Sequence, residues 1–167
     1  QERLLEQLGR LLSWEIENGQ DFLPAAFEAT FGINSEATTM LPSGVVRLKL
    51  DNEQVIHLRG RIDRIDVSAD AQRARILDYK SGKPARGVPV RGRFANGTAL
   101  QLPLYLYAAR DLRSDLRWTG ADYVYINRAE QSQQPFFTEN TWAEAEAELR
   151  TIVTALVGSL RAGCFPQ

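Results

Sequence analysis

The run Gly60-Arg61-Ile62-Asp63-Arg64-Ile65-Asp66, followed by Ile76-Leu77-Asp78-Tyr79-Lys80, decides how this chain is read. Apolar and charged residues alternate in both segments, and turn-formers (Ser68, Ala69, Asp70) lie between them, so the pair predicts two antiparallel strands. Residues two apart in a strand share a face. Asp78 and Lys80 therefore point one way with Ile76, while Leu77 and Tyr79 point the other. A turn centred between Asp70 and Ala71 sets Asp63 directly opposite Asp78. A four-residue loop is expected there, because Asp70-Ala71 lacks the glycine that a two-residue primed turn prefers. Facing residues of an antiparallel pair have Cβ atoms about 4.5–5.5 Å apart. Two carboxylates at that separation repel unless a cation lies between them, and oxygen ligands of this kind suit magnesium. A lysine beside them fits phosphoryl chemistry, where charge around an attacked phosphate must be stabilised.

Asp63 followed by Asp78-x-Lys80 resembles the PD-(D/E)xK nuclease signature. The longer pattern, Gly60 to Asp66, Ile76-Leu-Asp-Tyr-Lys-Ser-Gly82 and Gln101-Leu-Pro-Leu-Tyr105, resembles the RecB-type branch found in bacterial helicase–nuclease proteins such as the AddB type. By motif the resemblance spans Phe27 to Tyr107. It implies a mixed α/β fold with a restriction-endonuclease-like core, a small mixed sheet flanked by helices. It also implies Mg²⁺ or Mn²⁺ held by the carboxylates of Asp63 and Asp78 and the backbone carbonyl of Tyr79. Lys80 would then orient the attacking water or stabilise the pentacovalent phosphate. Glu28, from an earlier strand, is a further candidate ligand, weighed evenly against an ordinary exposed carboxylate. Gln101 and Tyr105, four apart on a helix and so on one face, are expected to face the site and contact nucleic acid. For Gln101 a rival role is a capping box with Thr98.

The chain has 167 residues, is 44% hydrophobic and 25% charged, and carries a net charge of −1. These values predict one soluble domain with a single core. No apolar run approaches the ~20 residues of a membrane span. One cysteine excludes an internal disulfide and makes a reducing, cytoplasmic setting the expected one, which the resemblance implies is bacterial. The near-neutral charge excludes any argument for nucleic acid from the whole molecule, so that argument rests on local distribution. From Tyr79 to Arg110 there is no acidic residue, whereas Lys80, Lys83, Arg86, Arg91, Arg93 and Arg110 are basic. This glycine-rich segment is expected to follow a phosphate backbone, chiefly through Lys83, Arg86, Arg91 and Arg93. Phe94 is a candidate for stacking on a base. Trp14, Trp118 and Trp142 read as packing residues.

Along the chain, Leu4, Leu5, Leu8, Leu11, Leu12 and Ile16 recur three and four apart, predicting an amphipathic helix that faces the core and ends at Asn18-Gly19. Phe22 to Phe31 reads as a strand with Phe27, Ala29 and Phe31 on one face and Glu28 on the other. Val45 to Leu50 and Val55 to Val67 are expected strands, the second carrying His57 on the face of Asp63. At 3.3 Å per residue that histidine lies about 20 Å from Asp63, too far to be a ligand. Ser81 to Gly97 reads as a loop, followed by a helix to Leu112. Strands are expected at Tyr123 to Ile126 and Pro135 to Thr138. A capping box at Thr141-Trp-Ala-Glu144 opens a last helix that ends at Gly163.

The chain reads as a piece of a longer helicase–nuclease or DNA-repair protein, acting on DNA beside helicase domains or subunits. AddB-type nucleases hold an iron–sulfur cluster on four cysteines; Cys164 alone cannot, so such a cluster belongs only to a longer parent chain. The expected activity is Mg²⁺-dependent, exonucleolytic hydrolysis of single-stranded DNA at its ends, in DNA repair and recombination. The alternative is a DNA-binding or scaffold module that keeps the fold and does not cut.

Overall fold

The computed structural model describes residues 2–19, 21–38, 40–81, 94, 99–126 and 137–164, with the side chains of 2–4 and 18 left aside. In chain order the elements are α1 (Glu2–Asn18), β1 (Phe22–Phe31), β2 (Val46–Lys49), β3 (Val55–Leu58), β4 (Gly60–Ser68), β5 (Arg73–Lys80), α2 (Gln101–Leu112), β6 (Arg117–Tyr125), β7 (Phe137–Thr138) and α3 (Glu139–Arg161). Five strands form one sheet in the order β1-β4-β5-β6-β7, and β2 and β3 form a separate hairpin. The β5–β6 pair is parallel and its neighbours are antiparallel. The crossover between β5 and β6 carries α2, as a parallel connection requires. This is the expected mixed α/β core.

The core lies where α2 and α3 cover the sheet. Leu102, Leu106 and Ala109 from α2 and Trp142, Ala145, Leu149 and Val153 from α3 join Ile65, Ile76, Trp118 and Ala121 in one buried cluster. The β2–β3 hairpin closes it with Val46 and Leu48, both fully buried. Asp51 pins that hairpin to α3: its backbone N–H donates to Thr154 Oγ1 at 3.1 Å, and its carboxylate accepts from Thr151 Oγ1 at 2.9 Å. Pro103 is the third residue of α2, a position whose N–H has no intrahelical partner, so it starts the helix without cost. Among the described residues, no helix is long and apolar enough to cross a membrane.

Several expectations need correction. The stretch expected as one strand from Val55 to Val67 divides at Arg59, and its halves enter different sheets. His57 therefore pairs with Arg47 in the small hairpin and is exposed, rather than lying along the strand of Asp63. In β1 the alternation fails: the register shifts between Pro24 and Ala26, and Glu28 adopts a left-handed φ of 52°. Ala26, Ala29 and Phe31 are the buried residues, and Phe27 is 60% exposed. The last helix begins at Glu139, capped by Thr138, with Thr141 closing the box as its third residue. β6 starts at Arg117, six residues before the expected Tyr123. Helix α1 turns its leucine stripe outward, with Leu5, Leu8, Leu12 and Ile16 all exposed. Phe94 is buried against Phe137, ring centroids 5.7 Å apart, and has no face free for a base. Trp118 and Trp142 are core residues as expected, and Arg110 lies over the Trp142 ring at 5.9 Å.

Candidate active site

The site is built on the β4–β5 hairpin. Four residues, 69–72, connect Ser68 to Arg73, as the absence of a turn glycine implied. Ala71 takes a φ of 56°, and Asp70 accepts the Gln72 N–H at 3.1 Å while its carboxylate meets the Ser68 hydroxyl. The resulting register pairs Arg64 with Leu77, Ile65 with Ile76, Asp66 with Arg75 and Val67 with Ala74. One step further along that register, Asp63 stands opposite Asp78. The ladder gives way there, and the Asp63 carboxylate instead accepts the Tyr79 backbone N–H at 3.0 Å.

Asp78 is fully buried. Lys80, one third exposed, reaches its Oδ2 at 2.5 Å. Gln101, at the first turn of α2, bridges the two: its amide donates to Asp78 Oδ1 at 2.8 Å, and its carbonyl accepts from Lys80 Nζ at 2.7 Å. The same amide lies 3.0 Å from the Tyr105 hydroxyl. The helix cap is Leu100, without a side-chain cap bond, and Thr98, the other half of the expected capping box, lies outside the described residues. The Tyr105 ring meets Phe31 edge-on at 6.0 Å. Gly60 makes room for this contact, since a Cβ there would lie 2.6 Å from the Phe31 ring and 3.3 Å from that of Tyr105. Tyr123, which the sequence did not single out, lies under the ammonium of Lys80 at 5.1 Å. Its place beside Asp78 follows from the parallel β5–β6 register, which sequence pattern alone does not reveal.

Burial pushes the Asp78 carboxyl pKa up; Lys80 opposes the shift and the negative charge of Asp63 adds to it. Two carboxylates at facing positions, hard oxygen donors with no thiol or imidazole beside them among the described residues, fit a hard divalent cation. Among the described residues no third His, Cys, Asp or Glu joins them. Glu28 in particular ion-pairs with Arg61 at 2.8 Å on the exposed surface. Lys83, Arg86, Arg91 and Arg93 lie outside the described residues.

The family model of the PD-(D/E)XK nuclease superfamily matches residues 1–167. The chain belongs to that superfamily. The mixed five-stranded sheet flanked by helices is accordingly its restriction-endonuclease-like core. Curated relatives include an ATP-dependent helicase/deoxyribonuclease subunit from Moorella thermoacetica, 33% identical over 123 residues, covering 72% of this chain and 10% of that protein. The protein of the same name from a Thermoanaerobacter species is 34% identical over 138 residues, 75% of this chain and 11% of its own length. That of Clostridium tetani is 35% identical over 82 residues, 48% of this chain and 6% of its own length. The chain thus spans about a tenth or less of the relatives it matches. These relatives agree with the AddB-type resemblance of the hairpin and of Gln101-x-x-x-Tyr105. Among the residues singled out in the sequence, the structure brings Asp78 and Lys80 of β5 together with Gln101 and Tyr105 of α2, and sets Asp63 of β4 against the Tyr79 N–H.

Proposed function

We propose that this chain is a deoxyribonuclease domain that hydrolyses phosphodiester bonds of single-stranded DNA from its ends, with a divalent cation, in a DNA-repair helicase–nuclease. The observation that carries this reading is the cluster of Asp78, Lys80 and Gln101, with the Asp63 carboxylate held beside it on the Tyr79 N–H. The choice of DNA is supported by the helicase/deoxyribonuclease names of the relatives.

Asp63 and Asp78, with the Tyr79 backbone carbonyl, would hold Mg²⁺ or Mn²⁺, which supplies Lewis acidity at the attacked phosphate. The Asp63 carboxylate is fixed for this by the Tyr79 N–H. Asp78 must be ionised to serve, and Lys80 and Gln101 favour its charged form against burial. Lys80 Nζ, kept near Asp78 by the Gln101 carbonyl, places a positive charge where negative charge grows on the phosphate, or orients the water that attacks it. Tyr105 and Gln101 contact the strand beside the scissile bond, and Lys83, Arg86, Arg91 and Arg93 follow its backbone. A second reading, a DNA-binding or scaffold module that does not cut, draws support from the missing third acidic ligand among the described residues.

The test is cleavage of end-labelled linear and circular single-stranded DNA with Mg²⁺ or Mn²⁺, by the native chain and by Asp78→Asn. Metal-dependent degradation of the linear substrate alone, lost in the variant, is the expected result. Cutting of circles would replace exonuclease by endonuclease. Binding without cutting in any metal would favour the scaffold reading.

A further inference from the structure

We propose that Arg64 positions the site from the opposite face of the sheet, acting through Tyr79. The inference rests on the nuclease reading of Asp63 and Asp78 and adds residues that touch neither substrate nor metal. Arg64 follows Asp63 in β4, so its side chain leaves by the other face. It is only 3% exposed there. Its guanidinium donates to Asp66, from Nε to Oδ1 at 2.5 Å and from Nη2 to Oδ2 at 3.0 Å. It also grips the Glu15 carboxylate of α1, with Nη2 to Oε2 at 2.9 Å and a second, closer contact from Nη1. The remaining N–H, the second one on Nη1, bonds the Tyr79 hydroxyl at 2.8 Å. Asp66, fully buried, takes two further hydrogen bonds from Arg75, at 3.1 and 2.9 Å. Two cations and two anions are thereby balanced. Burial pulls the Arg64 pKa down, but the hydrogen bonds to Glu15, Asp66 and Tyr79 outweigh it, and the net shift is upward.

Such a network is weak ground for stability, since apolar residues of the same volume serve a core as well. What it does fix is geometry. The β4–β5 ladder ends at the Arg64–Leu77 pair, where the strands must part to open the site. Beyond that pair two contacts reach Tyr79 from β4. On the front face the Asp63 carboxylate holds its N–H at 3.0 Å, and on the back face Arg64 holds its hydroxyl at 2.8 Å. Tyr79 lies between Asp78 and Lys80 in sequence. Arg64, the Tyr79 ring, the Tyr79 N–H and the Asp63 carboxylate therefore close a ring of contacts through the sheet. Releasing the hydroxyl loosens this end of β5 on its β4 side, its other side staying paired with β6, and with it the spacing of Asp63 from Asp78.

The test is Tyr79→Phe, which keeps the ring and removes only the bond to Arg64, beside Val153→Ala as a control that loosens the core far from the site. Mn²⁺ affinity is measured by calorimetry, and hydrogen exchange of the position-79 amide by NMR. Tyr79→Phe is expected to weaken Mn²⁺ about tenfold, the scale of outer-shell effects on metal sites, and to speed exchange of that amide. Val153→Ala should lower the melting temperature and change neither. Unaltered affinity and unaltered exchange in a folded Tyr79→Phe would overturn the proposal, as would equal effects from Val153→Ala. Should the native chain itself bind no Mn²⁺, the metal reading fails, and the amide exchange alone decides whether Arg64 holds Tyr79.

Discussion

Millimolar Mn²⁺ should raise the melting temperature of the native chain and leave that of Asp78→Asn unmoved. Asp63 and Asp78 stand at facing positions and only Lys80 ion-pairs with Asp78 among the described residues, so two carboxylates and one ammonium leave the ionised site net negative. Burial raises the Asp78 pKa and the charge of Asp63 raises it further, against the pull of Lys80. A cation that binds the folded state alone stabilises it by RT ln(1 + [L]/Kd), about 1.4–2.7 kcal/mol at ten to a hundred times Kd. A domain of this size gains about 2–4 °C per kcal/mol, so the rise is roughly 3–10 °C. The sign of the pH dependence follows from the same groups. Proton and cation compete for Asp78, whose folded pKa is raised, so the Mn²⁺ shift should shrink as the solution is acidified. Differential scanning fluorimetry at matched ionic strength measures both effects. An equal rise in Asp78→Asn would overturn this account, because the cation would then be bound elsewhere.

Lys80→Ala should keep Mn²⁺ affinity within a few-fold while cutting single-turnover cleavage by about a hundredfold, the scale of losing one group that stabilises transition-state charge; a parallel loss of affinity would place Lys80 in metal binding. Asp122, beside Tyr123 in β6, provides a stability prediction that does not involve the metal: burial pushes its carboxyl up to about 7, opposed by the Tyr123 N–H and Arg75. Its folded pKa exceeds the unfolded one, so the native state favours the protonated form and stability falls as pH rises from about 4 to 7. Asp122→Asn should then stabilise the chain at mildly alkaline pH, by up to about 4 kcal/mol for a shift of about three units. The gain should vanish on acidification, and urea melts that show a pH-independent difference would contradict it. Neutralising two of Lys83, Arg86, Arg91 and Arg93 should weaken oligonucleotide binding without regard to sequence. The slope of log affinity against log salt should fall by about 0.7 per lost contact on a single strand; an unchanged slope would make the segment merely solvated.

The hairpin was legible because everything that sets it is local. Strand alternation has a period of two, the turn residues fix the loop length, and together they determine that Asp63 meets Asp78 and that Lys80 shares their face. The helix of Gln101 and Tyr105 was legible for the same reason, since four residues make about one turn. The breaks were not. Val55 to Val67 reads as a single strand, and packing divides it at Arg59, sending one half to each sheet. Glu28 looked like the outward residue of a regular strand, but its left-handed backbone turns Phe27 outward as well and leaves Glu28 on Arg61.

Helix periodicity in α1 establishes that a leucine stripe exists; packing sets that the stripe faces away and that Glu15 faces Arg64. The same holds for the back of the sheet. Arg64, Asp66 and Arg75 alternate with apolar neighbours as a solvated face would, and their burial depends on α1 arriving from about fifty positions earlier in the chain. Local pattern in the sequence was enough to say which residues could share a face. Which faces are covered came only with the fold, because burial is set by what packs on a surface, and the covering segments are remote in the chain.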